Sequence, residues 1–268
     1  MTRVIAVVNQ KGGVGKTTTS VNLAAALAQA GERVLLIDLD PQGNATMGSG
    51  IDKAKTTRTV YHVLLGLAEA AAVCVRSERG GFDLLPSNRE LAGAEIELVD
   101  LPNREGRLKA ALATLGERYA FVIVDCPPSL SLLTVNALTA AQQVIIPMQC
   151  EYYALEGLSD LVGTIKRVRA HLNPTLDIAG LLRTMYDPRS TLTQQVSQQL
   201  ESHFGAKVYR TLVPRNVRLA EAPSYGTPAV VWDPASKGAQ AYAAFAAEIL
   251  ERERGAGAAQ PQAVGEGT

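Results

Sequence analysis

A glycine-rich stretch, N-Q-K-G-G-V-G-K-T-T-T-S at residues 9–20, constrains this chain more than any other feature. An apolar run rich in β-branched residues precedes it at residues 3–8, and leucines and alanines with helical spacing follow it as far as Gly31. The pattern predicts a strand, a glycine loop and a helix that begins near Gly15. A loop placed in this way, before a helix N-terminus, is typical of sites that bind phosphate through backbone N–H groups.

The residues of this loop suit a nucleoside triphosphate. Gly12, Gly13 and Gly15 lack a Cβ, so the backbone can curl and bring its N–H groups close to an anion. Lys16 can reach the β- and γ-phosphates as a point charge, and the Thr17 hydroxyl can ligate Mg²⁺. An ordinary glycine turn with two solvated lysines is the alternative, and it does not explain the strand and helix on either side.

Composition allows one large α/β domain, because 268 residues with 47% apolar side chains can bury a sizeable core. The 26 basic and 26 acidic residues leave a formal net charge of zero, so any face that binds nucleic acid must be local. No apolar run approaches the roughly 18 residues that a membrane span needs. Three cysteines, Cys74, Cys126 and Cys150, form no C-x-x-C pair, which favours reduced thiols in a cytoplasm.

Two further apolar runs end in aspartates. Residues 33–38 read R-V-L-L-I-D and end at Asp38, and residues 120–125 read A-F-V-I-V-D and end at Asp125. Apolar strands separated by helical patterns predict an α/β fold with a mostly parallel sheet and helices on both faces. Ligands of such sheets collect at the carboxyl ends of the strands, so we expect both carboxylates beside the glycine loop. Asp125 would hold magnesium there, directly or through water.

A third carboxylate follows the first of these two strands in D-L-D-P-Q-G-N, residues 38–44. Asp38 and Asp40 alternate, so both would point to the same side of an extended chain. A capped strand end followed by a turn is the simpler interpretation of the same residues. Residues 45–59, which are rich in small and polar side chains, are expected to form a mobile loop that responds to the γ-phosphate.

The loop departs from the general P-loop pattern G-x-x-x-x-G-K-[ST], because Gln10 occupies the first glycine position. What remains, K-G-G-V-G-K-T-T, resembles the deviant P-loop of the ParA/MinD group of ATPases. In that group the front lysine, here Lys11, reaches across a dimer to the nucleotide of the other subunit. The resemblance therefore implies an ATPase, a P-loop NTPase with a deviant Walker A motif, that binds ATP or ADP with Mg²⁺ and forms a homodimer with ATP. The implied nucleotide-binding residues are Lys11, Gly12, Gly13, Val14, Gly15, Lys16, Thr17 and Thr18.

The D-x-D-P-Q-G-N string is a second resemblance to ParA proteins. By that resemblance Asp40 positions and polarises the attacking water, and Asp38 supports the magnesium shell. The implied catalytic residues are Lys11, Lys16 and Asp40, and the implied metal residues are Thr17, Asp38 and Asp125.

Two later stretches, R-T-M-Y-D-P-R at residues 183–189 and P-R-N-V-R-L-A-E-A-P-S at residues 214–224, resemble the chromosomal Soj branch of that group. In that branch Arg189 and Arg218 would belong to a basic surface that contacts DNA phosphates. Without the resemblance, simple solvent exposure would explain two arginines in loops. The residues that would hold the adenine, partly through backbone groups, are Met185, Pro214, Asn216 and Val217.

The two ends of the chain bear on partners and location. Residues 1–254 are predicted to form one ATPase domain, and residues 255–268, rich in Gly, Ala, Gln and Pro, a disordered tail. The tail has one charge, Glu266, and no apolar face, unlike the membrane-binding helix of the Min relatives. The first strand is predicted to begin at Arg3, so we expect no N-terminal helix-turn-helix before it. We therefore expect a cytoplasmic, nucleoid-associated protein that binds DNA non-specifically and has a ParB-type partner, without membrane binding.

Two alternatives to chromosome or plasmid partition stay open at this point. A positioning ATPase of the same group would act on a protein cargo. A synthetase or kinase with the same loop would transfer the γ-phosphate to a small molecule, and it would need a pocket with convergent polar groups beside the phosphates. The sequence contains no further motif for such a pocket.

Overall fold

The structure is a computed structural model that describes residues 2–152 and 154–258. Within these residues one eight-stranded sheet runs through the molecule, with the strand order β3-β4-β2-β5-β1-β6-β7-β8. The strands are β1 (Arg3–Val7), β2 (Val34–Asp38), β3 (Val75–Ser77), β4 (Phe82–Leu85), β5 (Phe121–Asp125), β6 (Gln143–Gln149), β7 (Asp177–Tyr186) and β8 (Val208–Pro214).

All neighbouring strands pair in parallel except β3 and β4, which are antiparallel. Strands β2 and β5 are buried along their whole length, which explains why both are continuous apolar runs. The α-helices are α1 (Lys16–Gln29), α2 (Asn44–Gly48), α3 (Val60–Leu64), α4 (Ala70–Val73), α5 (Leu91–Glu97), α6 (Arg107–Ala113), α7 (Leu132–Ala140), α8 (Ala154–His171), α9 (Thr191–Phe204), α10 (Val217–Glu221), α11 (Ala229–Trp232) and α12 (Lys237–Ala258).

Helices cover both faces of the sheet, as the sequence predicts. Along β1, Val4 packs into one core cluster and Ile5 into the other, because successive side chains point to opposite faces. Leu27 of α1 and Phe245 of α12 belong to the second cluster, whereas Leu133 of α7 belongs to the first. The mostly parallel α/β architecture is confirmed, and the carboxyl ends of β1, β2 and β5 meet at one edge.

Two segments differ from their predictions. The predicted loop over residues 45–59 is wrong at its start, where α2 covers Asn44–Gly48. Thr46 of this helix donates from its backbone N and its hydroxyl to the Asp38 carboxylate, at 2.7 Å each, which ties the helix to the end of β2. Helix α12 continues to Ala258 and so includes the first four residues of the predicted tail, 255–258. Alanine and arginine favour helix strongly enough to carry α12 through Gly255, and residues 259–268 lie outside the described residues.

Within the described part of the chain, no helix has the length and apolar character needed to cross a membrane.

Candidate nucleotide-binding site

The glycine loop joins β1 to α1 as predicted, and its conformation depends on two glycines. Gly13 has a φ of 75° and Gly15, the N-cap of α1, a φ of 88°, both in the left-handed region that favours glycine. Gly12 does not have a positive φ, so the backbone itself does not require a glycine at that position. The carbonyl O of Val14 accepts a 2.8 Å hydrogen bond from the Thr184 hydroxyl, which fastens the loop to β7.

Lys16 is folded against the loop that it follows. Its side chain is buried, and its Nζ donates to the carbonyl O of Lys11 at 3.1 Å. Burial lowers the pKa of Lys16, and the nearby carboxylate of Asp125 opposes that shift. The ammonium group is therefore held at the loop, where a phosphate group would offer it a better partner than a carbonyl.

Asp38 and Asp125 lie directly opposite each other at the ends of β2 and β5, and neither is exposed to solvent. Asp125 accepts hydrogen bonds from the hydroxyls of Thr17, at 2.8 Å, and Ser20, at 2.9 Å. Asp38 accepts the two bonds from Thr46 and a third from the backbone N of Asp40 at 3.2 Å. The two side chains are thus fixed in position beside the N-terminus of α1.

Their electrostatics favour a cation. Burial raises the pKa of Asp38 to about 6. Burial, followed by the charge of Asp38, raises the pKa of Asp125 to about 8. Asp40 contributes to both shifts, so three carboxylates influence one another at this edge of the sheet. Without a bound cation, the pair of buried carboxylates therefore holds a proton more tightly than free aspartates would.

Asp40 lies beyond the end of β2, so the alternation expected for Asp38 and Asp40 in an extended chain does not apply. It is 9% exposed, and its Oδ1 accepts a 2.9 Å hydrogen bond from the backbone N of Gln42. Its carbonyl O accepts from the Ser87 hydroxyl at 2.8 Å. The carboxylate is therefore oriented by the turn that follows the strand, at the same edge as the glycine loop.

Lys11, at the front of the loop, is placed quite differently from Lys16. Its side chain is 46% exposed, and its Nζ forms an ion pair with Glu151 of the same chain. Glu151 follows β6, the strand next to β1. A lysine that reached a second subunit would therefore have to exchange this carboxylate for a phosphate.

A cavity of about 170 Å³ adjoins the loop on the β7–β8 side. Met185, Pro214 and Asn216 line it together with Gly15 and Thr18 of the loop, so the structure brings three of the four predicted adenine residues to one place. Met185 has a φ of 49°, where the register of β7 against β8 shifts.

Val217 does not line this cavity. It is the first residue of α10 and is 64% exposed, because Asn216 caps the helix and turns the chain outward. For this residue the structure gives no support to the predicted adenine contact.

Arg189 and Arg218 follow β7 and β8, two neighbouring parallel strands. Arg189 pairs with both oxygens of Asp187, at 3.0 Å each, and this contact lowers the pKa of Asp187 to about 2. Arg218 contacts Glu221 at 2.9 Å and Asp233 at 3.3 Å. Both guanidinium groups are therefore at the surface, but each already has a carboxylate partner.

Comparison with known proteins identifies the family. A family model described as an AAA domain matches residues 2–178. The chromosome-partitioning ATPase Soj of Thermus thermophilus is 53% identical over 250 residues, covering 93% of this chain and 96% of that protein. The chromosome partitioning protein ParA of Caulobacter vibrioides is 51% identical over 254 residues, covering 94% and 95%. The chain belongs to the ParA/Soj family of chromosome-partitioning ATPases.

A solved structure from Mycobacterium smegmatis, named cobyrinic acid a,c-diamide synthase, is similar to this ParA/Soj chain with a TM-score of 0.84. The two are 43% identical, and the match covers 96% of this chain and 97% of the other. That structure contains an ATP analogue and magnesium.

The residues present fit magnesium as the family's ion. Thr17 and Asp125 offer hard oxygen atoms, which magnesium prefers over nitrogen and sulfur. In residues 2–152 and 154–258 no group of three or more His, Cys, Asp or Glu side chains could by itself enclose a metal. Magnesium usually keeps several waters and binds one or two carboxylates together with substrate phosphates, so an open site of this kind suits it.

Sequence reasoning missed several contacts that shape this ParA/Soj site. Thr184 holds the loop through Val14, and Glu151 holds Lys11. Arg215 lines the cavity beside Asn216 and contributes to the lowered pKa of Asp187. Thr184, inside the R-T-M-Y-D-P-R string, and Arg215, inside the P-R-N-V-R string, lay in stretches that carried a sequence signal.

Asp125→Asn is expected to stabilise the protein without nucleotide and magnesium, and to do so more at about pH 8 than at about pH 5. The pKa of Asp125 rises from 3.8 to about 8 on folding, so the native chain loses stability as pH increases between these values. The loss is at most about 1.4 kcal/mol per pH unit. An asparagine carries no charge to bury, and the Thr17 and Ser20 hydroxyls can accept as well as donate.

Thermal unfolding in a chelator at the two pH values measures this difference. The matched control is Asp52→Asn, because Asp52 is an exposed aspartate outside the site. A gain for Asp125→Asn that is the same at both pH values would contradict the assignment of a raised pKa to Asp125.

Proposed function

We propose that this chain is a partition ATPase that closes into a homodimer around ATP and, in that state, binds DNA non-specifically. The observation that carries the proposal is the contrast between the two lysines of the loop. Lys16 is buried at the loop of its own subunit, whereas Lys11 is exposed at its front. A second lysine at the surface of a phosphate loop is suited to a nucleotide that approaches from another subunit, and this is the role that the deviant loop implies.

The nucleotide would bind along residues 11–18, with its phosphates at Lys16 and the N-terminus of α1 and its adenine in the cavity beside Met185 and Asn216. Magnesium, when bound, would neutralise charge on the phosphates. Asp40, oriented by the backbone N of Gln42, would align the attacking water. Glu151 would release Lys11 as two subunits meet, so dimer formation would carry the cost of breaking one exposed ion pair, about 1 kcal/mol or less.

The DNA surface would lie at the loops after β7 and β8. Arg189 and Arg218 supply its cations, and a dimer would present two copies of each. Each phosphate contact adds to the salt-dependent part of DNA affinity, so doubling the surface would make binding depend on ATP. Cytoplasmic location on the nucleoid, and a ParB-type partner that accelerates hydrolysis, follow from the same proposal.

Binding to random-sequence duplex DNA over a salt series, with ATP, with ADP and without nucleotide, tests this proposal. We expect binding with ATP only, with an affinity that falls steeply as salt increases. Arg218→Ala should weaken it about tenfold and reduce the salt slope, while the ATP-bound dimer still forms. Asp233→Asn is the matched control, because it removes a carboxylate from the same guanidinium and should strengthen binding.

The same experiment separates the alternatives. If ATP closes the dimer and DNA does not bind even at low salt, the ATPase assignment stands and the cargo must be sought among proteins or small-molecule substrates. The name of the Mycobacterium smegmatis structure keeps a small-molecule synthetase as a second candidate. That candidate requires ATP turnover that depends on a small-molecule substrate and is indifferent to both DNA and a second subunit.

A further inference from the structure

Helix α5 and the 3₁₀ turn after it, Leu98–Asp100, expose apolar side chains in helical register. Ala92, Ile96 and Val99 are spaced as i, i+4 and i+7 and are all exposed, Ile96 to 77% and Val99 to 49%. We call these three residues the α5 stripe. Leu91 and Leu98 of the same segment are buried, so the segment has one apolar side in the core and a second in solvent.

Such a second apolar side is unusual for a surface helix, whose outer side is normally polar. Single exposed apolar residues are common and need no explanation, but aligned ones mark contact surfaces more often. The stripe takes no part in the nucleotide site, whose residues lie in the loops after β1, β2, β5, β7 and β8.

The surroundings of the α5 stripe are acidic. Residues 89–106 contain five carboxylates against two arginines, in a chain whose formal net charge is zero. One of those arginines, Arg104, is engaged by Glu105 and by the carbonyl O of Val99. The carboxylates are Glu90, Glu95, Glu97, Asp100 and Glu105. An apolar stripe with a carboxylate rim is complementary to a segment with apolar side chains on one side and lysine or arginine around them.

We propose that the α5 stripe is a docking site for a basic, amphipathic segment of a partner protein. Two or three apolar side chains of that segment pack on Ile96 and Val99, and its cations face Glu95 and Asp100. Burying one isoleucine and one valine, less the cost of ordering the segment, is on the scale of a transient contact. The rim charges mainly raise the association rate.

The negative charges around the α5 stripe argue against a second copy of this chain, DNA or an anionic lipid surface as its binding partner. A second copy of this chain would place two acidic rims against each other across a two-fold axis. DNA and anionic lipid surfaces are repelled by the same carboxylates. The chain's own last ten residues, A-Q-P-Q-A-V-G-E-G-T, contain no lysine or arginine. The proposal does not depend on DNA binding, because the stripe and the arginines after β7 and β8 belong to different elements.

The test uses the full chain and a fluorescein-labelled synthetic peptide of lysine and leucine, about 18 residues long, with the leucines on one side of a helix. A peptide of the same charge with every leucine replaced by serine is its control. Fluorescence anisotropy should show the leucine peptide binding the native chain at least tenfold more tightly than it binds Ile96→Ser/Val99→Ser. The serine peptide should bind both proteins equally weakly.

Leu192→Ser is the matched control variant, because Leu192 is another exposed apolar residue, on α9. It should bind the leucine peptide as the native chain does. Glu95→Gln/Asp100→Asn should weaken binding and flatten its salt dependence, which tests the rim without changing the stripe.

Equal binding by the native chain and Ile96→Ser/Val99→Ser would overturn the proposal, and so would an equal loss in Leu192→Ser. The stripe variant should keep its ATP-dependent binding to DNA. Loss of peptide binding with DNA binding intact supports the docking site, whereas absence of DNA binding in the native chain bears only on the partition proposal.

Discussion

Replacing Lys16 with alanine is expected to lower the affinity for ATP at least about a hundredfold, and hydrolysis falls with it. The side chain is 7% exposed, and its ammonium lies at the loop with Asp125 and Asp40 close enough to affect its pKa. Removing it takes away the positive charge that would face the phosphates and leaves the two carboxylates beside the place where a triphosphate has to enter. Removing the cationic partner of a buried anion costs several kcal/mol.

Titration with a fluorescent ATP analogue measures this loss, and Lys11→Ala is the matched control. Lys11 is exposed and paired with Glu151, so its removal should leave monomeric ATP binding within about threefold of the native value. Dimer formation should fail in both variants, for different reasons. Normal ATP binding by Lys16→Ala would show that the loop does not hold the phosphates as we propose.

The parts of the fold that could be predicted are those whose burial produces a local pattern of apolar residues in the sequence. Strands β2 and β5 are covered on both faces, so every residue before the terminal aspartate is buried and therefore apolar. The start of α1 could be predicted because the glycine loop and the apolar spacing after it agree on one boundary. Both signals are local, and that is why they can be recognised from sequence.

Elements that depend on distant partners could not be predicted. Strand β3 has three residues, too few to show a period, and as the edge strand of the sheet it pairs only with β4. Helix α2 has five residues and is held by Asp38, eight positions earlier, through Thr46. For such short segments the tertiary contact outweighs the local preference.

The candidate site likewise has features that the sequence could predict and features that it could not. The loop and the carboxylates at the strand ends could be placed because parallel topology brings carboxyl ends to one edge. The ion pair of Lys11 with Glu151 spans 140 positions, and no local pattern indicates it. The adenine residues were predicted from a resemblance, and three of the four line one cavity, whereas Val217 lies outside it because the cap at Asn216 directs that residue outward.

Replacing Asp40 with alanine is expected to lower ATP hydrolysis about a hundredfold to a thousandfold while ATP binding persists, so that the ATP-bound dimer accumulates. Asp40 lies outside the strands and forms no ion pair with a cation of the described residues, and the turn at Gln42 fixes its Oδ1. A fixed carboxylate at the edge that receives the γ-phosphate is suited to orienting water. The structural contacts of Asp40 with Ser87 and Gly43 involve its backbone carbonyl, which alanine retains.

Phosphate release and size-exclusion chromatography with ATP measure the two effects, and Asp40→Asn separates charge from shape. Asparagine keeps an oxygen that can accept from the backbone N of Gln42, but it lacks the negative charge that polarises water. Both variants should be slow if the charge matters, whereas a normal rate in Asp40→Asn would reduce the role of this residue to holding the turn. If Asp40→Ala hydrolyses ATP at the native rate, the water is oriented by another group, and the proposed catalytic role of Asp40 is wrong.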